Sequence, residues 1–166
     1  MIGSSTESST TLDQLSQAIE QASRRYFQLV IMVGVSGSGK TNTLQSIGQR
    51  TGCKVLNVNL ELSKKMLELT RTQRSRQVEK LLKDLIAATQ GEVVLLDNLE
   101  ILFDTALDVE PVRLLQVVSR NRPTVASWTG SYSNGTLTYA EPGHPEFAQF
   151  NQVDAVVITV ANAATN

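Results

Sequence analysis

Apolar positions along the chain follow two patterns. Continuous apolar runs at 27–34 (FQLVIMVG), 92–97 (EVVLLD) and 154–160 (DAVVITV) read as strands, and the first two as buried on both faces. Shorter runs at 53–59 (CKVLNVN) and 124–129 (TVASWT) predict two more strands. Between the strands the apolar spacing changes to three and four. Leu12, Leu15, Ile19, Ala22 and Tyr26 predict a helix over about 12–25, with Thr11 and Gln14 at capping-box spacing. A second helix is expected over 39–50, closed by Gly52. Residues 60–89 read as helical in two pieces, one carrying Leu62, Met66 and Leu69, the other Val78, Leu81, Leu82, Leu85 and Ile86. Helical patterning returns at 99–103, and Pro111 suits the first turn of a helix running to about Arg120.

Strands that alternate with helices predict an α/β fold with a mostly parallel sheet of about five strands. Asn134-Gly135 between two short runs at 130–140 adds a β-hairpin. EPGHPE at 141–146 reads as a stiff loop, with His144 in a local structural role, and Trp128 is expected in or near the core. The Ser/Thr-rich residues 1–10 read as disordered, 11–160 as one domain and 161–166 as a small polar tail. No internal repeat is visible.

Composition narrows the class. The lone Cys53 excludes an internal disulfide and suits a buried, inert thiol. No apolar run approaches the roughly 18–20 residues of a membrane span, and no signal-peptide core opens the chain, so a cytoplasmic protein without membrane contact is expected. A net charge of -1 excludes a chain that is basic throughout. That average hides an asymmetry. Residues 61–90 hold seven Lys/Arg against four Asp/Glu, and residues 91–166 hold three Arg against nine Asp/Glu. Complementary surfaces within one molecule, or between copies in a homo-oligomer, would follow. The basic stretch from Lys64 to Lys83 reads as a solvated helix face, a protein-docking face or a DNA-contacting face. Few aromatics interleave, which argues against single-strand stacking.

The chemistry concentrates after the first strand. Gly34-Val35-Ser36-Gly37-Ser38-Gly39-Lys40-Thr41 fits G-x-x-x-x-G-K-[ST] without a gap, between a strand and a helix. Glycines let the backbone wrap a phosphate with its N–H groups inward, and the helix adds its positive end. Gly34, Ser36, Gly37, Ser38, Gly39, Lys40, Thr41 and Asn42 are therefore the expected nucleotide contacts. Lys40 would reach the β- and γ-phosphates of ATP or another nucleoside triphosphate, and Thr41 would offer its hydroxyl to Mg²⁺. Asp97, at the tip of the 92–97 strand, is the second expected metal residue; capping the next helix is its structural alternative.

The two motifs leave room for an extra strand between them. That layout resembles the ASCE class of P-loop NTPases, which includes AAA+ and RecA-like proteins, and implies a three-layer core. Many such ATPases follow the aspartate with a glutamate that polarises water. Here Asn98 follows, which can orient water but cannot take its proton. Glu100 and Glu61 are the candidate bases, beside the alternative that none is dedicated. Arg120 and Arg122 are candidates for an arginine finger given to a neighbouring copy, or are plain surface charge, and Thr129 is either a γ-phosphate sensor or an ordinary strand-end hydrogen-bonding residue.

VGVSGSGKT, VNLELSKKMLEL, VVLLDNLEILFD, LLQVVSRNRPTVASWTG and LTYAEPGHPEF together resemble the BrxF family, small P-loop proteins of type III BREX bacteriophage-exclusion systems. The resemblance runs over about 20–160. It implies a component of a multi-protein defence system with other BREX proteins as partners, and it carries the phosphate and magnesium roles onto Gly34–Thr41 and Asp97. Only ANAATN follows the last strand, so no C-terminal helical lid is expected. The readings are then a slow or partner-stimulated ATPase, a nucleotide-dependent assembly module without turnover, or a small phosphotransferase.

Overall fold

A computed structural model describes residues 2–160, with side chains from residue 10 onward. The predicted tail at 161–166 lies outside the described residues. Strand β1 (Leu29–Gly34) is buried along its whole length and pairs in parallel with β4 (Thr124–Ser133) on one side and β7 (Val156–Thr159) on the other. With β2 (Val55–Asn57) and β3 (Val94–Asp97), the parallel order is β2-β3-β4-β1-β7. The strand that stands between β1 and β3 in the sheet is β4, which follows both motifs in the chain and is not drawn from the stretch between them.

Alternation along the strands supplies two cores. Leu29, Ile31 and Val33 of β1, with Val94 and Leu96 of β3, face α3 (Val58–Met66), α4 (Arg71–Ala87) and α5 (Pro111–Val118). Val30, Met32 and Leu95 face the other way, onto α1 (Ile2–Ala22) and α2 (Lys40–Thr51). Every second side chain of a strand points to the opposite face, so a strand apolar at every position must be covered on both sides. The result is the expected three-layer α/β fold.

Local chemistry moved several boundaries. The strand predicted over 53–59 stops at Asn57, whose Oδ1 accepts from the Leu60 N–H and starts α3 two residues early. Thr70 and Gln73 form a reciprocal capping box that separates α4 from α3. Helix α1 begins at Ile2, about ten residues before the predicted start, so the stretch 1–10 read as disordered is helical from residue 2. Adding residues to an existing helix needs no new nucleus, and α1 is anchored by its docked half at Leu15, Ala18 and Ala22, all buried.

The hairpin is present and is larger than expected. β4 runs on past the parallel sheet to Ser133, turns at Asn134-Gly135 with φ of 52° and 78°, and returns as β5 (Thr136–Tyr139). Two consecutive positive φ values are the type I′ turn that Asn-Gly favours. A further strand, β6 (Ala148–Asn151), which the sequence did not reveal, pairs with β5 and completes an antiparallel extension. Tyr139 and Leu137 face inward, while Ser131, Thr138 and Gln149 form a row on the outer face. His144 is local in role, its Nδ1 accepting from the Glu146 N–H.

Close approach fixes one glycine. Gly48 is buried in α2, and a Cβ there would lie 2.6 Å from the Cys53 carbonyl oxygen and 3.3 Å from Leu95 Cδ1. Gly48→Ala is expected to cost about 1–3 kcal/mol by overpacking, read as a lowered midpoint in thermal or denaturant unfolding.

Candidate functional site

The turn after β1 needs a backbone that most residues refuse. Gly37 and Gly39 hold φ of 79° and 97°, in the left-handed region that glycine enters without strain. Their conformation winds residues 35–39 around a hollow and delivers Lys40 and Thr41 as the first two residues of α2. Gly34 lies beneath, where a side-chain carbon would collide with Ser38 Oγ.

Lys40 is nearly buried, and its ammonium donates to the carbonyls of Gly34 and Val35, both at 2.8 Å. Burial pulls its pKa below the ordinary lysine value, against the raising effect of the Asp97 and Glu100 carboxylates. Asp97 is 4% exposed, and both its oxygens are engaged. Thr41 Oγ1 donates to Oδ2 at 2.8 Å, and Ser127 Oγ donates to Oδ1 at 2.6 Å. Short charge-assisted bonds of this kind are the strong ones. They tie the α2 start, the β3 tip and β4 together at one end of the parallel sheet. Asp97 therefore does not cap the following turn.

These groups line a cavity of about 330 Å³. Of the residues singled out in the sequence, Ser36, Gly37, Gly39, Lys40, Thr41, Asn42, Asp97, Asn98, Glu100 and Thr129 line it; Gly34 and Ser38 support it from below. Asn98 has φ 56°, a conformation that Asn tolerates better than most residues. Its carbonyl accepts from the Asn59 N–H at 2.9 Å, so backbone geometry shapes this position. Glu100 opens the 3₁₀ turn Glu100–Phe103, and Asp97 and Glu100 are the carboxylates of the lining. Glu61 is not brought to the site: it lies on α3, 3.7 Å from Lys64.

The two arginines are not brought there either. Both precede β4, at the end of the sheet away from the cavity. The Arg120 guanidinium lies 4.4 Å above the Tyr26 ring. Arg122 donates to the carbonyls of Ile86, Thr89 and Gly91, closing the end of α4. On the basic helices, Lys64, Lys80 and Lys83 each have an acidic partner within the same helix, which leaves less free charge than the sequence count suggested.

Sequence reasoning missed Ser127 and Tyr139. A lone serine inside a buried strand must find a hydrogen-bond partner, and that requirement was the available signal for Ser127. Tyr139 reaches the lining from β5, through a pairing the sequence did not display.

The donor set fits a hard cation. A hydroxyl and a carboxylate converge beside a phosphate-binding loop, and Mg²⁺ is held by one or two carboxylates together with substrate phosphates. No group of three or more His, Cys, Asp or Glu that could form a self-contained metal cage exists among the described residues. No described helix is long and apolar enough to cross a membrane.

Residues 30–120 match the AAA family, "ATPase family associated with various cellular activities". Among solved structures, AMPPCP-bound DnaA from Aquifex aeolicus is similar at 15% identity and a TM-score of 0.45, over 90% of this chain and 44% of that one. PCH-2 from C. elegans is similar at 14% identity and a TM-score of 0.48, over 93% and 43%. The chain spans less than half the length of either. No curated protein matches it.

Arg122→Ala is expected to lower stability by about 1–3 kcal/mol, since it removes three charge-assisted hydrogen bonds to carbonyls at the end of α4. Nucleotide affinity should stay within about twofold, which unfolding and titration measured on the same variant will show.

Proposed function

The chain belongs to the AAA family of ATPases, which implies nucleotide binding, and from that premise we propose that it is an ATP-binding protein that hydrolyses ATP slowly or under stimulation by a partner. The observation that carries this reading is the convergence of Lys40, Thr41, Asp97 and Glu100 on one cavity beneath the 35–39 loop. The loop's N–H groups and the α2 terminus hold phosphate oxygens. Lys40 exchanges its two carbonyl partners for the β- and γ-phosphates. Thr41 and Asp97 would hold Mg²⁺, which supplies charge neutralisation on the phosphates when bound. Water attacks the γ-phosphorus, the bond to the β–γ bridging oxygen breaks, and Glu100 takes the water's proton. Asn98 orients water without accepting that proton, and Thr129 faces the same cavity as the candidate sensor.

Slow turnover follows from charge. Lys40 is the one Lys or Arg in the cavity lining, so the negative charge that develops on the transferring phosphoryl group is incompletely met by the chain itself. A second cation from another molecule would complete the site; Arg120 of a second copy, exposed although its guanidinium lies over Tyr26, is the candidate source. The same shortage favours a second reading, a nucleotide-dependent assembly module without turnover. The resemblance to the BrxF family supports a cytoplasmic component of a bacteriophage-exclusion system, with other proteins of that system as partners. The basic α3–α4 surface is a docking face in this reading, and direct DNA contact is secondary.

Two variants test it. Lys40→Ala should abolish ATP binding; unchanged affinity by calorimetry would remove the nucleotide reading. Glu100→Gln should keep binding and lose about 10²-fold or more in phosphate release, the scale of a missing general base. Full activity in that variant eliminates Glu100 as the base. Under the assembly reading no phosphate appears, yet ATP changes the molecular mass.

A further inference from the structure

The antiparallel extension is not a passive appendage. Its strand β5 ends at Tyr139, which sits opposite Gly130 of β4 and turns its side chain inward. The ring lies 3.4 Å, centroid to centroid, from Phe103 and 6.0 Å from Trp128; Phe103 and Trp128 are themselves edge-to-face at 5.1 Å. Phe103 closes the same 3₁₀ turn that Glu100 opens. Tyr139 and Glu100 both line the phosphate cavity, together with Phe103 and Trp128. A one-turn 3₁₀ segment has little rigidity of its own, so its orientation is set by what it packs against: Leu102 in the core and Phe103 against the Tyr139 ring.

We propose that Tyr139 is a positioning residue for hydrolysis, its ring clamping Phe103 and thereby fixing the turn that holds Glu100 over the cavity. The inference rests on the ATPase reading with Glu100 as base. It gives a role to the Tyr of LTYAEPGHPEF, a motif the phosphate chemistry alone leaves unused. Electrostatics agree with the geometry. Burial, then the Glu100 carboxylate, then Glu146, push the Tyr139 phenol up to about 12, so it stands beside Glu100 as a neutral hydroxyl. The clamp is aromatic, and so the ring matters more than the hydroxyl.

The test combines Tyr139→Phe and Tyr139→Leu with Glu100→Gln, reading ATP affinity, kcat for phosphate release and the fluorescence of Trp128, the single tryptophan. Tyr139→Leu should lower kcat about tenfold or more, with ATP affinity within about twofold. Tyr139→Phe should restore kcat to within about threefold of wild type and keep the Trp128 emission of the clamped cluster. In the Glu100→Gln background, Tyr139→Leu should add nothing, because residues that act through one group are non-additive. Three results overturn the inference while the ATPase reading stands: equal effects of Leu with and without Glu100, a parallel loss of ATP affinity, or Phe as damaging as Leu. Absence of phosphate release from the wild type would overturn the hydrolysis reading and the inference together.

Discussion

The site depends on how a buried carboxylate is satisfied. Asp97 is removed from water at the tip of β3, where an unpartnered charge would cost several kcal/mol. Thr41 and Ser127 meet it from two other chain segments at 2.8 and 2.6 Å. Each donor is held by its own element: Thr41 by the start of α2, Ser127 by β4. Because β4 stands between β1 and β3, the carboxylate reaches the phosphate loop across a strand that follows both of them in sequence. These two bonds fix the start of α2, the tip of β3 and β4 in one register at one end of the sheet.

The cavity's electrostatics follow from that arrangement. A desolvated Lys40 is disfavoured by burial and supported by Asp97 and Glu100. It rests on backbone carbonyls that a phosphate can replace. Several of the chain's other cations are engaged elsewhere. Arg122 serves as a structural cap, Arg120 stacks on Tyr26, and Lys64, Lys80 and Lys83 pair within their own helices. Surface pairs of that type contribute about 0–1 kcal/mol each. Lys40 is the one positive side chain of the cavity lining.

Much of this was legible from the pattern of residues. The uninterrupted apolar run of β1 required cover on both faces, and with the G-x-x-x-x-G-K-[ST] spacing it announced a strand, a loop and a helix in that order. Asn134-Gly135 announced its turn. The errors arose where local context overrides pattern: Asn57 capped a helix inside a predicted strand, and the backbone before residue 10 continued a helix anchored further along. β6 escaped notice because a four-residue edge strand is defined by its pairing with β5, which leaves little periodicity of its own.

The sequence by itself determined the phosphate loop, the identity of Asp97 and the α/β class, because each depends on contiguous residues whose backbone preference or spacing is local. Only the tertiary structure decided which carboxylate stands at the cavity, that Ser127 completes the Asp97 pair, that Arg122 is structural, and that Tyr139 reaches the site from a distant hairpin. Those outcomes depend on strand order and on pairings between residues far apart in the chain. Neither is encoded in any single window of sequence, since the energy that selects them comes from packing and buried hydrogen bonds.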